Sequence, residues 1–369
     1  MKNLKNTNIL VFNNGSSSIK CSLYDFSLFT GSLLQPIWHE HIEWKNINRN
    51  ALTQLTPLLH GKKVDIIGHR VVHGGRYTQT KPIDETVKQE IARAAELAPL
   101  HNLADLEAIQ AAEKIFPHAR QFAVFDTAFH STMLPAAYTY AIAEKWRNQG
   151  IRRFGFHGIS FSYCSKRAEE LVGKRIDKMI ICHLGSGASL CAVKQGKSID
   201  TTMGFTPLEG LVMDTRSGSI DPGILLYLLQ QKHITVEQLS AELYERSGLL
   251  GLSGISSDMR DILNCKDQQA PAKLALDVYL HRLIGAIGAM AAALGGLDTL
   301  VFTAGIGEHA AYIIEQSCQQ LAFLGIELTD SIIIKDKDAH LSAQHSPITV
   351  LQIHTEEAFE IARQCYTFS

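Results

Sequence analysis

Five short apolar runs recur along the chain, at residues 9–12, 64–68, 122–125, 179–182 and 299–303. They are rich in Val, Ile and Phe and bounded by Gly, Asn or Asp, a pattern that predicts buried strands. Between them, residues 87–97, 104–115 and 272–294 repeat apolar side chains at three- and four-residue steps, which predicts helices. Strands alternating with helices argue for an α/β fold with a mostly covered sheet.

The pattern also repeats at long range. The strand at 9–12 runs into Asn13-Asn14-Gly15-Ser16-Ser17-Ser18 and then into an alternating segment, 19–24, closed by Asp25. The strand at 179–182 runs into His183-Leu184-Gly185-Ser186-Gly187-Ala188-Ser189 and then into 190–193, closed by Gln195-Gly196-Lys197. One strand, Gly/Ser turn and returning strand per half predicts a duplicated fold, whose two turns could clasp a polyphosphate between domains. A chain of 369 residues exceeds the roughly 250–300 that one core supports, so two domains are expected, with a hinge near residues 127–150.

Composition narrows the function. Apolar residues make up 46% and charged residues 20%, which excludes disorder as the main state. The net charge of -2 provides no basic field, so neither nucleic acid nor a membrane surface is an expected partner. Seven scattered cysteines with no Cys-x-x-Cys pair predict reduced thiols and a cytoplasmic protein. No secretory signal is expected, and the uncharged run at 283–297 is shorter than a membrane span and predicts a buried helix.

Several segments could carry chemistry. Gly15 with three serines offers N–H groups and hydroxyls, and Lys20 follows within reach of a phosphate; an ordinary hairpin turn looks the same. Gly185 and Gly187 permit close approach of an anion, and Gly305 and Gly307 end an apolar strand where a nucleoside could lie, though each also reads as a tight turn. Arg70 and Arg216 lie on Gly-rich loops, where a guanidinium suits a carboxylate or phosphoryl group; a loop arginine paired with a neighbouring acid is the plainer reading. Asp126 ends a strand, as ligand-facing or capping aspartates do, and His157 lies between glycines and aromatics rather than on an amphipathic face. Gly196-Lys197-Ser198 fails as a P-loop because Cys191 stands where a glycine is needed, His39-Glu40-His41 lacks zinc-ligand spacing, and no Gly-x-Ser-x-Gly elbow occurs.

Together these segments resemble the acetate and propionate kinase family of the sugar kinase, actin and heat-shock chaperone superfamily. The resemblance runs in order through residues 13–20, 68–75, 97–102, 125–130, 152–158, 183–193, 200–222, 253–261, 302–308 and 355–363. It implies a duplicated ribonuclease H-like (actin-like ATPase) α/β fold with mixed sheets and an interdomain cleft, the first domain being 1–127 plus 355–369 and the second 128–354. It also implies reversible transfer of the ATP γ-phosphoryl group to acetate or another short-chain carboxylate, giving acyl phosphate and ADP, with Mg²⁺ or Mn²⁺ as its substitute. By the family pattern Asn13 and Glu357 would bind the metal, Arg70 the carboxylate, Asp126 would be the active-site acid/base or positioning group, and His157 and Arg216 would stabilise the transition state. Val72, Leu100, Phe156 and Pro207 would receive the acyl methyl. Lys20, His183, Leu184, Gly185, Ser186, Gly187, Asp258, Met259, Arg260, Gly305, Ile306, Gly307, Glu308 and His309 would hold ATP. A homodimer through the apolar helical surface of 272–297 is likewise implied. The chain departs from the family pattern at Ile159, Phe161, Ser186, Asp214, Ser219, His309, Glu356 and Ala358.

A carboxylate acceptor is already ionised at neutral pH and needs no strong base, so Asp126 would act chiefly as a positioning group. Repulsion between two anionic reactants is what the arginines would offset. A sugar kinase would need a polar pocket in place of Val72, Leu100, Phe156 and Pro207. An ATP-switched binding protein of weak activity would not need two anion-binding arginines.

Overall fold

The computed structural model describes residues 7–14, 18–43, 59, 61–97, 99–231, 234–330 and 337–369, with backbone alone at 18, 42, 43, 99, 100 and 231. The Gly15-Ser16-Ser17 turn therefore lies outside the described residues, as does the side chain of Leu100. The chain divides into two compact units, residues 1–131, 156–163 and 356–369 in the first and 132–155 and 164–355 in the second. Residues 156–163, expected in the second domain, pack with the first unit.

The sheet of the first unit contains β1 (Asn8–Asn14), β2 (Ser18–Asp25), β3 (Trp38–Glu43), β4 (Ile66–Val71), β5 (Lys81–Pro82) and β6 (Arg120–Phe125), in the order β3-β2-β1-β4-β6-β5. Strands β1, β2 and β3 form an antiparallel meander, β4 and β6 add in parallel to β1, and β5 closes the edge antiparallel. The second unit holds β7 (Lys178–Leu184), β8 (Ala188–Lys194), β9 (Lys197–Thr201), β10 (Thr299–Thr303), β11 (Ala339–His340) and β12 (Thr349–Gln352), in the order β11-β12-β10-β7-β8-β9. Their directions repeat the first sheet strand for strand. The duplication predicted from the two Gly/Ser hairpins is thus present in both sheets.

Burial on both faces explains the continuous apolar runs. On β1, Leu10 and Phe12 pack with Ala108 and Ala112 of helix α2 (Pro99–Ile115). Helix α9 (Glu357–Phe368) lies across β1 and β4 and buries Phe359, Ile361, Ala362 and Cys365. Each fully buried Leu, Ile or Phe stabilises the fold by roughly 1.5–3 kcal/mol. Gly68 sets the approach of α9, since a Cβ there would stand 2.8 Å from both Cys365 Sγ and Ile361 Cγ2.

Helix α1 (Glu85–Ala94) begins two residues before its apolar repeat because Asp84 caps it, accepting the Val87 N–H at 2.8 Å. Helix α6 (Ala270–Leu294) is long and apolar enough to cross a membrane, yet Ala272, Ala275, Leu276, Leu283 and Ile287 are buried as it packs on β7, β8 and β9. Much of the apolar surface expected there for a dimer is therefore core. Helix α4 (Pro222–Gln231) also presents apolar surface, with Ile224, Leu226, Tyr227 and Leu229 facing outward.

Candidate active site

In the first unit the parallel strands end together, and the residues just past them meet. Arg70 pairs with Val124 in the β4–β6 register, which brings it beside Asp126, immediately after β6. Its Nε and Nη2 both donate to Asp126 Oδ2, at 3.0 and 2.7 Å. Nη1 makes longer bonds of 3.3 Å to Asn13 Oδ1 and the Asn14 carbonyl, at the end of β1. Glu357, at the start of α9, lies 3.8 Å from Nη1 and accepts Asn13 Nδ2 at 3.0 Å. Lys20 is exposed on β2 directly opposite Asn13, so both side chains share one face of the sheet.

Burial and charge compete at this cluster. Burial disfavours the Arg70 charge, but the carboxylates of Asp126, Glu357 and Asp105 outweigh it and push its pKa up. Burial pushes the Asp126 carboxyl up, Arg70 opposes this and Glu357 adds to it. Asp126 Oδ1 is buried without a hydrogen-bond partner among the described residues. Asp126 thus holds the Nε/Nη2 edge of the guanidinium closely, and the bonds on the Nη1 side are longer.

The apolar residues expected to receive the acyl methyl are fixed by their neighbours. Val72 and Phe156 are buried, and the Phe156 ring meets His73 edge-on at 5.7 Å. Asn102 clamps the 72–75 loop by accepting the His73 N–H at 3.0 Å and donating to the His73 and Ile91 carbonyls. His130 Nε2 lies 2.9 Å from the Phe156 carbonyl. His157 has φ 58°, a left-handed conformation that non-glycine residues adopt rarely. Gly158 makes this possible: its N–H donates to the Asp126 carbonyl at 2.9 Å, and a Cβ would stand 2.1 Å from that oxygen.

In the second unit the corresponding strand ends carry the other predicted residues. The β7–β8 turn at 183–187 is closed by Gly185 N–H to the Gly187 carbonyl at 3.2 Å, and His183 is buried at its base. Asp214 N–H donates to the Ser186 carbonyl, tying the 210–218 loop to this turn. Burial pushes the Asp214 carboxyl up to about 6, helped by the charge of Asp258 and opposed by Arg216. Arg216 Nη1 donates to the Pro207 carbonyl at 3.2 Å.

Asp258 caps helix α5 (Met259–Cys265) and pairs with Arg260 at 2.5 Å, while Met259 is buried, so its side chain faces the core. After β10, Ala304 has φ 64° and opens helix α7 (Ala304–His309). Glu308 accepts the N–H groups of Ala304 and Thr355 at 2.8 and 3.0 Å and lies 2.5 Å from His354 Nδ1. Its carboxylate is occupied in holding this strained strand end, so any nucleotide contact from 305–309 falls to backbone and to residues other than the Glu308 side chain.

Sequence reading missed the supports. Asp105 is buried and accepts from Asn14 Nδ2 at 2.9 Å and from the Val72 N–H at 3.1 Å. Glu209 accepts from Tyr140 and from Arg153 at 2.6 Å, and Arg153 also donates to the carbonyls of Thr201, Thr202 and Met203, bracing the loop that carries Pro207. These partners lie tens of residues apart in the chain, and no local spacing announces them.

The oxygen donors at Asn13 and Glu357 suit Mg²⁺, a hard ion that takes one or two protein oxygens and keeps waters and phosphate oxygens. Among the described residues no group of three or more His, Cys, Asp or Glu is placed to hold a metal ion.

Residues 39–363 match the model of the acetokinase family. The acetate kinase of Acaryochloris marina is 46% identical, covering 97% of this chain and 98% of its own. The crystal structure of Porphyromonas gingivalis acetate kinase superposes with a TM-score of 0.87 at 35% identity, covering 98% of this chain and 99% of that one. A propionate kinase from Francisella tularensis superposes at 0.89, also at 35% identity, with the same coverage. This full-length similarity places the chain in the acetokinase family.

Proposed function

We infer that the protein is an acetate kinase, transferring the γ-phosphoryl group of ATP reversibly to acetate to give acetyl phosphate and ADP. The observation that carries this is Arg70: a guanidinium held on one edge by Asp126, in the same unit as the buried apolar side chains of Val72 and Phe156, which we assign as the wall of the acyl site. The other edge binds the carboxylate while the wall takes the methyl, together with Leu100 and Pro207. A carboxylate oxygen attacks the γ-phosphorus, the bond from phosphorus to the β,γ-bridging oxygen breaks, and its electron pair leaves with ADP. The nucleophile is ionised already, so Asp126 positions Arg70 rather than removing a proton. His157 and Arg216 donate to the equatorial oxygens. The segments 183–187, 258–260 and 305–309, through backbone and through side chains other than those of Met259 and Glu308, hold ATP with Lys20.

Mg²⁺, or Mn²⁺ in its place, would be held by Asn13 Oδ1 and Glu357 and would neutralise charge on the phosphates. Propionate is the second substrate to test, since one methylene is worth only ~1–3 kcal/mol of discrimination. The test is Mg·ATP-dependent acyl phosphate formation, trapped as hydroxamate, with formate, acetate, propionate, butyrate and glycerol compared at equal concentration. The highest rate with acetate supports the assignment; the highest rate with propionate reassigns the substrate, and no acyl phosphate with any acid contradicts it.

The homodimer is proposed to form through α4, whose exposed Leu226 and Tyr227 would leave water on pairing. Seven cysteines, none joined in a disulfide and six of them buried, support a cytoplasmic setting.

A further inference from the structure

We propose that Asp105 is a positioning residue for the acyl substrate, holding the Val72 wall and the Arg70 guanidinium at a fixed separation through one buried carboxylate. The inference rests on the assignment of Arg70 and Val72 to the carboxylate substrate. Strand β4 ends at Val71, whose carbonyl takes the Asp126 N–H, so the Val72 N–H has left the ladder. Asp105 Oδ2 satisfies it at 3.1 Å. Asp105 Oδ1 accepts Asn14 Nδ2 at 2.9 Å, and the Asn14 carbonyl in turn accepts Arg70 Nη1 at 3.3 Å. One side chain on α2 therefore fixes the backbone of the wall and, through Asn14, the face of Arg70 that meets the anion. Both direct donors are neutral, and a carboxyl 1% exposed with neutral partners is a costly way to fill a core. Burial pushes its pKa up to about 7, in keeping with a group retained for placement.

The test measures KM for acetate, propionate and ATP by hydroxamate trapping in the wild type, Asp105→Ala, Asp105→Asn and Asn14→Ala. Asp105→Ala removes both bonds; the acetate KM is expected to rise at least tenfold and the acetate-over-propionate preference in kcat/KM to fall at least threefold, with the ATP KM within twofold. Asparagine at 105 can keep the Val72 bond with its oxygen and turn its amide nitrogen to Asn14, whose own Oδ1 is buried without a partner among the described residues and can rotate to accept it. Asp105→Asn should therefore recover the acetate KM to within threefold of wild type. An unchanged acetate KM and preference in Asp105→Ala, or equal impairment in Asp105→Asn, overturns the proposal. If circular dichroism shows Asp105→Ala unfolded, Asn14→Ala decides: a several-fold rise in acetate KM alone supports the proposal, and wild-type values overturn it. A wild type that forms no acyl phosphate with any acid overturns the underlying assignment instead.

Discussion

Arg70 and Asp126 form a pair in which neither side chain is dispensable. Removing the guanidinium deletes the carboxylate-binding edge and strands Asp126 in a buried site. Arg70→Ala is expected to lower kcat/KM by about 10²–10³ and to destabilise the fold by about 3–5 kcal/mol, read by hydroxamate kinetics and urea unfolding. Asp105 adds a pH dependence. Its native pKa is raised to about 7 by burial, with Arg70 opposing and Asp126 adding to the shift, against ~3.9 in the unfolded chain. Between these values the native state binds more protons than the unfolded one, so this contribution is full below pH ~4 and is lost as pH rises through 7. Wild type should lose roughly 1–3 kcal/mol more than Asp105→Asn between pH 5 and pH 8 in urea titrations. Arg70 and Asp126 were legible in the sequence because each stands where an apolar run stops. Asp105 was not, because its partners lie 33 and 91 residues away and its own helix gives it an ordinary polar position.

Among the elements, strands were more legible than their ends. The run at 299–303 coincides with β10, whereas the run at 64–68 became Ile66–Val71, since residues 69–71 carry His and Arg into the ladder and mask its length. The Asp84 cap moved the start of α1, a side-chain-to-backbone bond that apolar periodicity does not register. Helix α7 shows a local cost of placement. Ala304 sits at φ 64°, where glycine avoids a penalty of roughly 1–2 kcal/mol. Ala304→Gly is therefore expected to stabilise the fold by about 0.5–1 kcal/mol in urea unfolding, after the entropy cost of glycine is deducted. An equal or lower stability would show that the Glu308 bonds already relieve the strain.

At the scale of the molecule, two hairpins recognised as similar in sequence predicted two sheets of one topology, and strand order repeats across them. Equal spacing of the Gly/Ser turns after apolar strands made this visible even though the two halves share few residues. The exposed helix was harder to find, because α4 and α6 are both apolar and only packing separates core from surface. Leu226→Glu is expected to convert a dimer to monomer in light scattering at micromolar concentration while far-UV circular dichroism is unchanged. A wild-type monomer, or a dimer that survives the substitution, contradicts the assigned face.

The central claim is that an acetate oxygen forms the new bond to the transferred phosphorus. Incubation of the protein with Mg·ATP and acetate labelled with ¹⁸O in both oxygens, followed by ³¹P NMR, tests it. The account predicts acetyl phosphate whose phosphorus carries one ¹⁸O, in the bridge to carbon. Acetyl phosphate with no ¹⁸O on phosphorus, or none formed while ATP is bound, would contradict it.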